Sequence, residues 1–229
     1  MLRTTLTAAL LAATSTGFAA TYDAAADFTS ATTTNPNGVW SYGYDAAGDG
    51  GAYSLVPFDL YTPSASSLLW QKTGYISLNT PALFKALIGP IGGTATGQVA
   101  LHPGPATGFA NDDAAILRFT APANSVYAVN SQFFVGDNGD TTAWVILNGQ
   151  IASPLASLGS TNANPSYTNG ALSLSVGDTL DFVVGNTGSY FFDTTPLNVT
   201  ISSVPEPQAW ALWAGGLLAM GGLVRRRAR

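Results

Sequence analysis

The residues of this chain with the greatest chemical reach are aspartates and aromatic rings. Residues 20–203 hold twelve Asp, one His, no Glu and no Cys. Hard divalent cations take carboxylate, amide and backbone oxygens from Asp-, Asn- and Gly-rich loops. Two stretches have that composition, Asp45-Ala46-Ala47-Gly48-Asp49-Gly50-Gly51 and Gly136-Asp137-Asn138-Gly139-Asp140. They make Asp45, Asp49, Asp137, Asn138 and Asp140 candidate Ca²⁺ ligands. Neither follows the EF-hand pattern, which closes on a Glu. Asp, Asn and Gly also make ordinary turns, so composition alone leaves both readings open.

Rings are the second resource. Trp40, Tyr42 and Tyr44 fall on one face of an extended strand by parity. On an exposed face they make a stacking platform for the C–H faces of sugars. On an inner face they are core, where large aromatics supply most of the burial. Tyr53, Trp70, Tyr75 and Tyr167 are further ring candidates of the same two kinds.

Catalysis is poorly served. The one Glu of the chain is Glu206, near the C-terminus. A glycosidase needs two placed carboxylates, so both would have to be Asp, and the adjacent Asp112 and Asp113 point to opposite sides of an extended chain. A Ser-His-Asp triad would have to use His102, and no Gly-x-Ser-x-Gly elbow is present. His102, in Leu101-His102-Pro103-Gly104, reads as a turn residue whose ring bonds backbone. These counts predict a protein that is not an enzyme.

The elements that position these residues are strands. Ala115, Leu117 and Phe119 alternate with Ile116, Arg118 and Thr120; Leu172, Leu174 and Val176 with Ser173, Ser175 and Gly177; Leu180, Phe182 and Val184 with Asp181 and Val183; Leu197, Val199 and Ile201 with Asn198, Thr200 and Ser202. Segments 126–135 and 143–147 carry apolar or aromatic residues on both faces, as central sandwich strands do. Weaker strands are expected at 38–44, 53–61, 68–78 and 97–102. Asn148-Gly149 is a type I′ hairpin signal. Val176-Gly177-Asp178-Thr179-Leu180 is another tight connection. One short helix is expected from Pro81 to Leu87, and polar loops at 29–37 and 159–170. The sum is an all-β chain, a jelly-roll-like antiparallel β-sandwich over residues 20–203.

The body resembles secreted bacterial β-sandwich domains. The resemblance rests on Asn35-Pro36-Asn37-Gly38-Val39-Trp40-Ser41-Tyr42-Gly43-Tyr44, on Leu101-His102-Pro103-Gly104 and on Val176 to Gly185. Such domains share their architecture with carbohydrate-binding jelly rolls.

Both ends carry export signals. Met1-Leu2-Arg3, an apolar run from Leu6 to Ala13, and small residues at Gly17 and Ala19 predict a signal peptide over 1–19. Residues 204–229 begin with Val204-Pro205-Glu206-Pro207, continue as an uncharged run from Ala209 to Val224, and close on Arg225, Arg226, Arg227 and Arg229. The run reads as a single transmembrane helix over 209–224, with its basic end in the cytoplasm. As a helix it covers about 24 Å, short of the roughly 30 Å hydrocarbon core, and snorkelling Arg with Trp210 and Trp213 makes up the difference. Pro-Glu-Pro, a Gly-rich apolar span and an Arg cluster, in that order, resemble the PEP-CTERM sorting tail. The resemblance implies that Pro205, Glu206, Pro207, Arg225, Arg226 and Arg227 form the sorting motif. It also implies that the partner is an exosortase-type enzyme, in a Gram-negative bacterium that makes exopolysaccharide.

Charge narrows the partners. Residues 20–203 carry three cations, Lys72, Lys85 and Arg118, against the twelve Asp, a formal net of −9 that the tail's arginines reduce to −5 for the whole chain. A body this acidic is a poor match for nucleic acid, which needs basic grooves. The expectation is an exported, non-enzymatic envelope or biofilm-matrix protein. It passes through an inner-membrane intermediate to the cell surface or matrix and binds exopolysaccharide. The alternatives are a structural surface protein without a ligand and a secreted polysaccharide hydrolase built on Asp.

Overall fold

The computed structural model describes residues 19–45, 53–74, 80–105 and 113–204. Asp49, Tyr75, the leader up to residue 18 and the tail from Pro205, with its sorting motif and apolar span, lie outside the described residues. Ala20–Val204 is a compact unit. Its strands are β1 (Thr21–Asp23), β2 (Trp40–Asp45), β3 (Leu55–Pro57), β4 (Leu60–Tyr61), β5 (Ser67–Gln71), β6 (Ala82–Ala86), β7 (Val99–His102), β8 (Ala115–Thr120), β9 (Ser125–Phe133), β10 (Thr141–Leu147), β11 (Ala156–Ser160), β12 (Ser166–Leu174), β13 (Thr179–Asn186) and β14 (Thr195–Val204). The helical pieces described are α1 (Ala24–Asp27) and a 3-10 turn at Thr161–Ala163. No described helix is long and apolar enough to cross a membrane.

The strands form two antiparallel sheets, an all-β sandwich. One has the order β12-β9-β14-β7-β6-β5-β4, with β1 also paired to β14; the other is β11-β10-β13-β8-β2-β3. The alternations of β8, β13 and β14 come out as period two demands. Leu117, Phe119, Leu180, Phe182, Leu197, Val199 and Ile201 enter one shared core. The opposite face of β8 and β13 is also covered, since Ile116 and Val183 join Ala114 and Ile146 in a second cluster under Tyr53, Leu55, Trp144 and Ile151.

Three expectations are corrected. Pro81 to Leu87 is not a helix. Its Leu83 lies in register between Trp70 of β5 and Leu101 of β7, and pairing in mid-sheet overrides local helix propensity. Residues 159–170 are not simply a loop, because the end of β11, the 3-10 turn and the first half of β12 lie there. β11 and β12 are both edge strands, where a polar outer face is normal and the apolar signal is weak. Asn148 and Gly149 do take left-handed conformations (φ 49° and 69°), and Gln150 N–H donates to Leu147 O at 2.9 Å. The chain nevertheless does not return directly from this turn. It runs on to Ala156 before pairing with β10, and Ile151 packs in the second cluster instead.

Candidate functional site

Trp40, Tyr42 and Tyr44 do not form a platform. They are 1%, 1% and 8% exposed, because β2 is paired on both sides, with β8 and β3, and this parity faces the core. Trp40 meets Phe119 edge-on at 5.5 Å, and Tyr42 stacks on Phe28 at 5.1 Å. Burial pushes the Tyr42 phenol up to about 12. The Asn35–Tyr44 motif is tied into the fold by buried rings and by Asn35. Asn35 donates from Nδ2 to Tyr42 O (2.6 Å) and Phe58 O (3.0 Å), while its Oδ1 accepts from Tyr42 N–H (3.0 Å). Trp40 Nε1 donates to Asp27 Oδ2 at 2.8 Å. Of the other rings, Trp70 is buried core, Tyr167 packs against the core, and Tyr53 donates to Asp181.

The cations of the body also serve structure. Lys72 pairs with Asp113 at 3.3 Å, Lys85 donates to the carbonyls of Ala25 and Phe28, and Arg118 pairs with Asp181. His102 is not in a turn but ends β7, paired with Ala82 of β6; its ring does bond backbone, Nδ1 donating to Pro103 O at 2.8 Å, and burial holds its pKa below the usual imidazole value. It borders a cavity of about 220 Å³ with Ser67, Leu69, Thr80, Ala82, Phe84 and Ile91. That is below the roughly 300–1,000 Å³ of most small-ligand pockets.

The two acidic loops fare differently. Asp45 is buried on β2 and accepts from Ser54 N–H at 2.9 Å. The Gly136–Asp140 loop instead joins a cluster that sequence reading missed. It packs against two others, Ile91–Thr94 and Gly188–Thr195, so closely that glycine is required. A Cβ on Gly136 would lie 2.0 Å from Thr194 O, and one on Gly93 would lie 2.1 Å from Gly136 O. Asp137 Oδ1 accepts from Thr194 N–H at 3.0 Å, Gly139 N–H donates to Phe192 O at 2.7 Å, and Ser160 Oγ donates to Asp140 Oδ1 at 2.5 Å.

At the centre stands Asp193. It is 1% exposed, and neither carboxylate oxygen has a hydrogen-bond partner. Burial, with Asp137 and Asp140 adding like charge, pushes its pKa up to about 7. Beside it the chain turns outward. Phe192 holds a φ of 65°, which a bulky residue rarely adopts. Phe191 and Phe192 are 60% and 64% exposed, and Tyr190 stacks on Phe191 at 4.4 Å. A run of Tyr190-Phe191-Phe192-Asp193 was the available signal, since three consecutive rings cannot all face one side of a strand. Among the described residues, no three His, Cys, Asp or Glu side chains are grouped tightly enough to hold a metal by themselves.

The site thus brings Asp137, Asn138 and Asp140 onto one loop, adds Asp193, and sets exposed rings next to them. Exposed rings offer faces for stacking, and the acidic corner offers oxygen donors.

No protein-family description matches the sequence, and no curated protein matches it. Solved structures give loose overlaps. A GH26-CBM35 β-(1,4)-mannanase of Podospora anserina is 14% identical over 82% of this chain and 28% of its own, with a TM-score of 0.30. A family 35 carbohydrate-binding module from Clostridium thermocellum is 16% identical over 46% of this chain and 88% of its own, with a TM-score of 0.25. The N-terminal cellulose-binding domain of Cellulomonas fimi β-1,4-glucanase C is 14% identical over 75% of this chain and 92% of its own, with a TM-score of 0.28. The chain spans little more than a quarter of the mannanase, and overlaps this loose say nothing about ligands.

Proposed function

We propose that this is a non-enzymatic, exported envelope or matrix protein whose β-sandwich binds polysaccharide at the Tyr190–Phe192 corner. The observation that carries the binding is the pair of exposed rings, Phe191 and Phe192, with Tyr190 stacked beside them. Exposed aromatic faces cost solvation unless a ligand covers them, and sugar C–H faces are suited to that. The acidic surface favours neutral glycans over polyanions. On this reading the strands wind as a jelly roll, residues 1–19 direct export, and the 204–229 tail spans the membrane through 209–224 until an exosortase-type enzyme processes it.

Two measurements test the reading. Affinity electrophoresis of the exported protein in gels containing neutral polysaccharides, the host's exopolysaccharide among them, should show retardation that the double variant Phe191→Ser/Phe192→Ser abolishes. No retardation by any of them would leave a structural surface protein, a reading that the burial of Trp40, Tyr42 and Tyr44 already favours. Mass spectrometry of the exported form should find it ending near Pro205; an intact Arg229 would overturn the sorting reading.

A further inference from the structure

We propose that Asp193 is a ligand for a hard divalent cation, Ca²⁺ by its donor chemistry, bound where the Gly136–Asp140 loop meets the Gly188–Thr195 segment. This goes beyond glycan binding and does not depend on it. A carboxylate buried with both oxygens unpartnered is costly, since burial strips its water and nothing replaces it. A native structure retains such a group where something absent from the protein chain completes it.

The surroundings specify that something. Asp137 and Asp140, on the facing loop, add negative charge rather than relieve it. The nearby backbone contributes oxygen as well. A Cβ on Gly139 would meet Asp193 Oδ1 at 2.0 Å and Phe192 O at 2.4 Å, so both oxygens crowd the same side of Gly139. Carboxylate and carbonyl oxygens without thiolate are the ligands of Ca²⁺ and, with more water, of Mg²⁺. Carbonyls, side-chain oxygens and waters complete such shells, so three converging carboxylates are not required. Asp137 and Asp140 each spend one oxygen on a protein donor and keep lone pairs for an ion. The 52 residues between Asp140 and Asp193 in the sequence explain why the Gly136–Asp140 loop alone looked incomplete.

The test uses the full exported protein stripped with EDTA, and CaCl₂ alone as the probe. Calorimetric titration should give saturable binding near one equivalent, and the melting temperature should rise by several degrees at saturation. Tb³⁺ should show sensitised emission through the nearby Tyr190 that Ca²⁺ competes away. Asp193→Asn, which keeps the shape and removes the charge, should weaken binding at least tenfold. If that variant fails to fold, Asp140→Asn with the Tb³⁺ signal of the unmodified protein serves instead. The proposal is overturned by no saturable binding, by binding unchanged in these variants, or by a melting shift that NaCl reproduces at equal ionic strength. An Asp193 that simply carries a proton would give the first of these results.

Discussion

Arg118 and Asp181 face each other across the β8–β13 ladder and are joined by two parallel bonds, Nε to Oδ1 at 2.6 Å and Nη2 to Oδ2 at 2.7 Å. Tyr53 adds a third bond, its hydroxyl donating to Asp181 Oδ2 at 2.6 Å. Asp181 is fully buried, so its charge depends on these partners. Breaking such a pair from one side costs about 3–5 kcal/mol, because the remaining charge stays buried. Arg118→Met should therefore lower stability by about that much in urea titration, and Tyr53→Phe by about 1 kcal/mol. If Arg118→Met is neutral, water reaches Asp181 and the site is not sealed.

Tyr42 separates core from platform. Tyr42→Ala should cost about 3–5 kcal/mol, as deletion of a buried ring does. Tyr42→Phe should keep the fold and all polysaccharide retention. A Tyr42→Ala protein that is as stable as the parent but has lost retention would return the ring to a binding role.

Phe191 and Phe192 should behave in the opposite way. The Phe191→Ser/Phe192→Ser protein should unfold within about 0.5 kcal/mol of the parent, as exposed substitutions usually do, while its retention in polysaccharide gels disappears. Large destabilisation would mean that the rings pack against something in the native state.

Asp193 sets a pH dependence in the metal-free protein. Its folded pKa of about 7 lies above the ordinary carboxylate value of 3.8. Between these values the folded state holds a proton that the unfolded state has released, so stability falls as pH rises. The loss begins near pH 4 and is complete above about pH 7. Thermal melts from pH 4 to pH 8 should show this decline, and Asp193→Asn should flatten its part of it. Saturating Ca²⁺ should reverse the decline at the alkaline end. A parent and an Asp193→Asn variant with the same pH profile would contradict the buried placement.

Much of the sandwich is legible in the sequence because period-two alternation reports directly on which face is buried. Leu180, Phe182 and Val184 all reach the shared core, as their spacing requires. Where long-range pairing decides, the signal fades. Ala82–Ala86 contains good helix formers, yet Lys85 is drawn to the carbonyls of Ala25 and Phe28, about 60 residues away in sequence. The Asp/Asn/Gly composition of 136–140 correctly marks an acidic loop. It cannot show that Asp193 closes on it, since that depends on how β13 and β14 are connected. The rings of β2 show the limit of parity, which says that Trp40, Tyr42 and Tyr44 share a face but not which side of the sheet that face is on.

β14 leads directly to residue 204 and is not an edge strand. It is bonded to β9 along 197–204 on one side, and to β7 and then β1 on the other. At its far end Ser203 N–H donates to Ala20 O at 2.8 Å, and Ala20 N–H donates to Ser203 Oγ at 2.8 Å. A pull on the chain at Val204 therefore runs lengthwise along a strand held from both sides. Many ladder bonds must then rupture together rather than one after another. The sandwich thus resists tension applied at residue 204 by shear along a whole strand rather than by unzipping from an edge.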